Sequence, residues 1–138
     1  MNVLFSVHPK FATAIQEERK DIELRKTNIK GWNPGDIAFF YATSPIKRVV
    51  CAATQGDHYT SPSWWLVTLP EYLKRICVSE EQAIHYLHKV YEAHLYELKT
   101  PVGFCEPVKI ENPPQSFRYL TKDESVLLIY KLYGVPHE

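Results

Sequence analysis

The sequence predicts an α+β fold: a small, mostly antiparallel, curled sheet or barrel flanked by helices. Three observations lead there. The 138 residues suit one domain, 1–138. Hydrophobic residues make up 45% and charged residues 23%, as in a globular chain able to build one compact core. The patterns run β-α-β-β-β-α-α-β-β-α, with several strands joined by no more than a turn. Parallel neighbours need long crossovers, so an all-parallel doubly wound sheet is excluded.

Val3–Val7 is a short apolar run of strand formers. His8-Pro9 opens a helix, with Pro9 at the first helical position and Phe11, Ala12 and Ile15 on one face. Asp21–Lys26 alternates, placing Ile22 and Leu24 opposite Glu23 and Arg25. Asn33-Pro34-Gly35-Asp36 is a turn. Ile37–Thr43 and Lys47–Gln55 read as strands joined by Thr43-Ser44-Pro45, and Gly56–Ser63 reads as a polar loop. Thr68-x-x-Glu71, Ser79-x-x-Gln82 and Thr121-x-x-Glu124 have capping-box spacing. The first two start helices near 69–77 and 80–90; the third starts a last helix, ended by Gly134 and Pro136. Strand pattern returns at Ala93–Lys99 and around Phe104–Ile110. The stretch around 57–92 therefore reads as a helical insertion.

Composition excludes several classes of function. The chain has 16 Lys+Arg and 16 Asp+Glu, a formal net charge of zero, so no whole-chain basic footprint exists. The halves differ: residues 1–50 hold eight basic and five acidic side chains (+3), and residues 51–138 hold eight and eleven (−3). No apolar run approaches the ~18 residues of a membrane span. No signal-peptide pattern opens the sequence. Cys51, Cys77 and Cys105 form no C-x-x-C pair, which suits a reduced, cytoplasmic setting. His85 and His88, with His94 and Cys77 nearby in sequence, have a spacing that can hold a metal. They lack any H-E-x-x-H or characteristic carboxylate, so no metal and no cofactor is expected.

Two segments are dense in chemistry. In Lys20-x-x-Glu23-x-Arg25, Glu23 and Arg25 share a strand face and would line a groove, with Lys20 at its edge. A carboxylate between two cations stays ionised and accepts from an exocyclic amine, while a guanidinium takes phosphate. On this segment alone, a surface ion-pair ladder is the plainer reading. Pro113-Pro114-Gln115-Ser116-Phe117-Arg118-Tyr119 interleaves an amide, a hydroxyl, two aromatics and a guanidinium, or else is a packed strap. Trp64-Trp65 cannot both face a core from one helix, so one ring is available to stack on a base or a partner unless both cover the sheet's open end.

Together these segments resemble the ASCH domain family, whose fold is a PUA-like β-barrel. The opening Val3-Leu4-Phe5-Ser6-Val7-His8-Pro9-Lys10-Phe11-Ala12 resembles that family's first strand and helix. Lys20-Asp21-Ile22-Glu23-Leu24-Arg25-Lys26 is similar to its K-x-x-E-x-R segment, and Tyr41-Ala42-Thr43-Ser44-Pro45 to its Y-A-T-S-P turn. Pro113–Tyr119 resembles the closing motif of one subgroup. The resemblance implies a cleft between the first helix, the K-x-x-E-x-R strand and the Y-A-T-S-P turn. Related domains bind RNA or a single, often modified, nucleobase there, and family members include hydrolases of acylated cytidine and ribonucleases. Amidohydrolase members resemble K-x-x-T, with a threonine nucleophile. Glu23 stands at that position here and is a poor substitute for an activated hydroxyl.

The leading expectation is a binding module for RNA, single-stranded nucleic acid or a nucleotide or nucleoside. A base would stack on Tyr41 or Phe117 and be read by Glu23, with Lys20, Arg25, Lys47 and Arg118 holding phosphate or sugar, and with Thr43, Ser44 and Ser116 as further polar contacts. The second reading is a nucleoside amidohydrolase or ribonuclease in the same cleft, with Lys20 as base and Glu23 positioning it or accepting a proton. The third is a protein-interaction module built on Trp64-Trp65 and the helical stretch.

Overall fold

A computed structural model describes residues 1–134. Its strands are β1 (Val3–Val7), β2 (Ile22–Arg25), β3 (Ile37–Ala42), β4 (Arg48–Pro62), β5 (Glu92–Val108) and β6 (Phe117–Tyr119). Its helices are α1 (Pro9–Gln16), α2 (Ser63–Leu66), α3 (Pro70–Ile76), α4 (Glu80–Tyr86) and α5 (Lys122–Tyr133). The strands form one curled sheet in the order β2-β5-β4-β3-β1-β6. Every neighbouring pair is antiparallel except β1 and β3, so the α+β, mostly antiparallel expectation holds. The barrel is a half-barrel: its terminal strands β2 and β6 share no ladder.

Local chemistry explains most element starts. Pro9 occupies the first turn of α1, and His8 Nδ1 accepts from Lys10 N–H at 3.1 Å. Ser79 and Thr121 form reciprocal capping boxes with Gln82 and Glu124. Thr68 does not. Its hydroxyl donates back to the Trp65 carbonyl at 2.6 Å, and α3 starts at Pro70 with no side-chain cap. Gly134 ends α5, and Pro136 lies outside the described residues.

Two strands run longer than the sequence pattern suggests. Residues 56–62 belong to β4, because their backbone pairs with β5 from Gln55↔Leu98 to Pro62↔Glu92. The polar side chains carry little strand preference, so the ladder decides. A Cβ at Gly56 would sit 2.5 Å from Lys99 Cε and 3.1 Å from Glu97 Cβ, so a larger residue there requires both neighbours to shift. Residues 92–108 form one strand rather than two, and register shifts along β4 and β5 bend the ribbon. Its far half pairs with β2 and carries α2, α3 and α4 between β4 and β5.

Three apolar clusters hold these layers. The first fills the curl with Val3, Phe5, Ile15, Trp32, Phe40 and Tyr96, where Phe5 stacks on Phe40 at 5.6 Å. The second packs Leu4, Phe39, Val49 and Leu120 under Leu128 of α5. The third packs Ile22, Leu24 and Leu95 against Leu66, Ile76 and Leu87, seating the helical stretch on β2 and β5. Each fully buried side chain of this size contributes about 1.5–3 kcal/mol.

Arg118 anchors the strand β6 to α5. Its guanidinium donates to both Glu124 oxygens, at 2.9 and 2.8 Å, and to the Asn112 and Glu111 carbonyls at 3.0 Å. The hydrogen bonds from Arg118, helped by the capping N–H and hydroxyl of Thr121, hold the Glu124 carboxyl at about 2. A carboxyl depressed in the folded chain stabilises above its unfolded value and loses that contribution as pH falls through the folded one. The wild type should therefore shed about 1–2 kcal/mol between pH 5 and pH 2 through this group, after allowing for solvent screening. Glu124→Gln, which keeps the capping geometry, should flatten that part of a urea-denaturation pH series; an unchanged slope refutes the assignment.

Candidate nucleobase cleft

The end of α1 sets the site. Glu18 adopts φ +61, and the Arg19 and Lys20 N–H groups both donate to the Ala14 carbonyl, at 2.8 and 3.1 Å. The chain reverses and delivers Lys20 inward, where it is 5% exposed. Lys20 Nζ donates to the Ile22 and Ile76 carbonyls, both at 2.9 Å, and so stitches β2 to the end of α3. Burial pulls its pKa below the ordinary lysine range, and Glu23 opposes that shift. A clamp beside it fixes α3: the Asp21 N–H donates to the Arg75 carbonyl at 3.0 Å, and Arg75 Nε donates to Asp21 Oδ1 at 2.8 Å.

Between α1, β2 and the helices α3–α4 lies a cleft of about 280 Å³. Lys20, Glu23 and Arg25 line it, with Phe11 on the α1 side and Tyr86 on the α4 side. Ile76, Val78 and Ala83 complete an apolar wall. Glu23 is 7% exposed, and its Oε2 has no hydrogen-bond partner among the described residues. Such a carboxylate is costly to leave unpaired, so it marks a place built for a donor. Lys20 Nζ also stands 5.6 Å from the Phe11 ring centre, and Lys26 Nζ 4.7 Å from that of Tyr86. Burial raises the Tyr86 phenol, whose hydroxyl donates to the Leu24 carbonyl at 3.4 Å.

Arg25 reaches across the open seam of the half-barrel. Its guanidinium hydrogen-bonds Ser116 Oγ and lies 5.1 Å from the Phe5 ring centre and 5.2 Å from that of Phe117. Thus Ser116 and Phe117 join the site's rim through Arg25.

The other expected site residues lie elsewhere. Tyr41 is buried, 8% exposed, among Leu4, Phe39 and Val49 beneath α5, so its ring does not line the cleft. A register shift between Phe40 and Tyr41 accompanies that placement. Arg118 is committed to Glu124 and three carbonyls. Ser44 and Lys47 are exposed on the β3–β4 turn, and Thr43 N–H donates to the carbonyl of Val7, which lines the cleft. The turn thus abuts the cleft, but α3 and α4 form the facing wall. His94 hydrogen-bonds His58, ring nitrogen to ring nitrogen at 3.0 Å, rather than joining His85 and His88. Sequence reasoning missed Phe11 and Tyr86 as flanking rings. Phe11 stood in a recognised segment, whereas nothing local signals that the helix of Tyr86 folds back over β2.

Curled strands, a first helix against the sheet and a cleft at the β2 edge define a PUA-like half-barrel of the ASCH type. A solved ASCH structure from Zymomonas mobilis superimposes with a TM-score of 0.81 at 25% identity, covering 93% of this chain and 93% of its own. A tyrosine-to-phenylalanine variant of that protein matches at TM-score 0.81 and 24% identity, covering 93% of this chain and 96% of its own. A serine-to-alanine variant matches equally well, over 93% of this chain and 94% of its own. These likenesses support assigning the chain to the ASCH domain family. No protein-family model and no curated protein matches it.

Replacing Lys20 by Met removes the donor shared by two carbonyls while keeping the apolar stem. Each buried acceptor left open costs about 1–3 kcal/mol. Lys20→Met should lower stability in urea by about 2 kcal/mol or more; an unchanged midpoint and slope would show that Nζ does not hold α3 to β2.

Proposed function

We propose that the chain is a binding domain, 1–138, for a nucleobase carried by a nucleotide, a modified nucleoside or single-stranded RNA. The observation that carries this reading is the buried, unpartnered Glu23 carboxylate oxygen in a small, largely apolar cleft. Phe11 and Tyr86 offer flat rings on two sides, and base–aromatic stacking contributes about 1–3 kcal/mol. Glu23 accepts from the base edge. Arg25, with Ser116 and Phe117 beside it, stands at the mouth where sugar or phosphate would emerge, and Lys47 of the adjoining turn extends that charge. Lys20 keeps the site's net charge favourable to an anion. The three free cysteines support a reducing, cytoplasmic setting. Among the described residues no helix is long and apolar enough to cross a membrane.

A thermal-shift screen against nucleoside monophosphates, modified nucleosides and short RNA tests this. A ligand at 100 times its Kd adds about 2.7 kcal/mol, enough for a shift of several degrees. Glu23→Gln should reduce the shift without lowering the melting temperature of the free protein by as much. A flat response across the whole panel ends the proposal.

One observation favours the catalytic alternative. Burial lowers the pKa of Lys20, which makes its amine a better base at neutral pH. Its two carbonyl acceptors work against that role, since both hold the ammonium form. If the domain is an amidohydrolase or ribonuclease, acylated nucleosides or RNA should turn over and Lys20→Ala should abolish turnover while binding survives. No product from either substrate removes this alternative. A protein partner is the third reading, favoured by Trp64 and Trp65, which are both exposed on α2.

A further inference from the structure

The free edge of β2 carries a second half of the recognition surface. The Asp21 carbonyl accepts from Leu98 N–H at 2.8 Å, so residue 21 directs its carbonyl towards β5 while its N–H turns to Arg75. Backbone groups of successive strand residues face alternate sides. Glu23 and Arg25 therefore also face β5, and Ile22 and Leu24 face away from it. The two outward carbonyls confirm this, since Ile22 O accepts from Lys20 Nζ and Leu24 O from the Tyr86 hydroxyl.

The outward N–H of Leu24 is left over. β2 has no second strand neighbour, and no acceptor among the described residues takes this N–H. Leu24 lines the cleft, and its nitrogen is bonded directly to Glu23. The cleft thus holds an unpartnered carboxylate oxygen on Glu23 and an unpartnered amide hydrogen on the next residue. An acceptor and a donor side by side form a pattern that a ligand edge must answer with a donor and an acceptor.

Resting on the nucleobase reading above, we propose that the cleft selects bases bearing an exocyclic amine next to an unprotonated ring nitrogen. That edge is shared by adenine and cytosine. The amine donates to Glu23 Oε2, and the ring nitrogen accepts from Leu24 N–H. Hypoxanthine and uracil reverse both polarities. They bring a carbonyl oxygen to the carboxylate and a ring N–H to the amide, so two repulsive contacts replace two attractive ones. On its Watson–Crick edge guanine presents two adjacent donors and matches only one of the two groups; its amine lies beside an unprotonated ring nitrogen only on the sugar edge, next to the glycosidic bond. Buried groups left unpaired by the wrong partner are what make such discrimination large.

Isothermal titration with two matched pairs tests the proposal: AMP against IMP, and CMP against UMP. Each pair differs only by an amine exchanged for a carbonyl and the accompanying ring proton. At least one amino-bearing nucleotide should bind tenfold or more tighter than its partner. Glu23→Gln, whose amide can turn either atom to the ligand, should shrink that ratio below threefold, with its melting temperature checking that it folds. If the keto nucleotides bind equally well or better, the edge pattern is wrong while base binding stands. If none of the four binds, the base-binding reading falls with it.

Discussion

The half-barrel depends on how its unpaired seam is held. β2 and β6 end the sheet without a ladder between them, and a curled sheet with two free edges is an invitation to slip or to pair elsewhere. Arg25 spans this gap. Its guanidinium hydrogen-bonds Ser116 and stands over the rings of Phe5 and Phe117, so one side chain joins the edge strand β2, the strand β1 and the closing strap. The strap is tied down in turn, because Ser6 N–H donates to the Ser116 carbonyl at 2.9 Å and Ser6 Oγ to the Pro114 carbonyl at 2.6 Å. A planar cation suits this role, since it binds through its edge and stacks through its face at once.

With the seam closed by a side chain rather than by backbone pairing, the β2 edge stays available. That single choice creates the cleft. A ladder there would consume the Ile22 and Leu24 backbone groups and leave no room for Lys20 and Tyr86 to reach their carbonyls. The helices α3 and α4 then cover the edge from the other side, as the Arg75–Asp21 pair and the Lys20 bond to Ile76 require. Both partners of that ion pair are more than a third exposed, so it contributes direction more than stability. The Lys20 bonds are buried and hold more of the energy.

Much of this was legible in the residues. Capping chemistry at His8-Pro9, Ser79 and Thr121 is local, and it produced helices where the spacing placed them. The alternation at Ile22–Arg25 placed Ile22 and Leu24 against the helices and Glu23 and Arg25 at the cleft, which Leu24 also borders. Failures came where a distant partner decides. Residues 56–62 are polar enough to read as a loop, yet β5 pairs with them. Thr68 has capping-box spacing, but its hydroxyl meets a nearer carbonyl and Pro70 sets the helix start. Tyr41 belongs to a motif and was expected to stack on a base, but its strand position turns it towards α5. Arg118 offered a free cation until Glu124, six residues on, took it.

Charge shows the same lesson at larger scale. The +3 of residues 1–50 includes Lys20, Arg25, Lys47 and Arg48. Of these, only Lys20 and Arg25 line the cleft, and they flank Glu23, so the three formal charges sum to +1. Arg48 donates to the neighbouring Lys47 carbonyl on an exposed turn. One net charge over a cavity of about 280 Å³ is too little to track a long polyanion. On the proposed reading it would suffice for one phosphate at the mouth, with the apolar walls and the Glu23 carboxylate making most of the distinction inside. A cleft at the small end of ligand-site volumes accommodates a base and not a run of them. On the proposed nucleobase reading, selectivity would reside in edge polarity, which salt does not screen, and the on-rate in the weak field, which salt does.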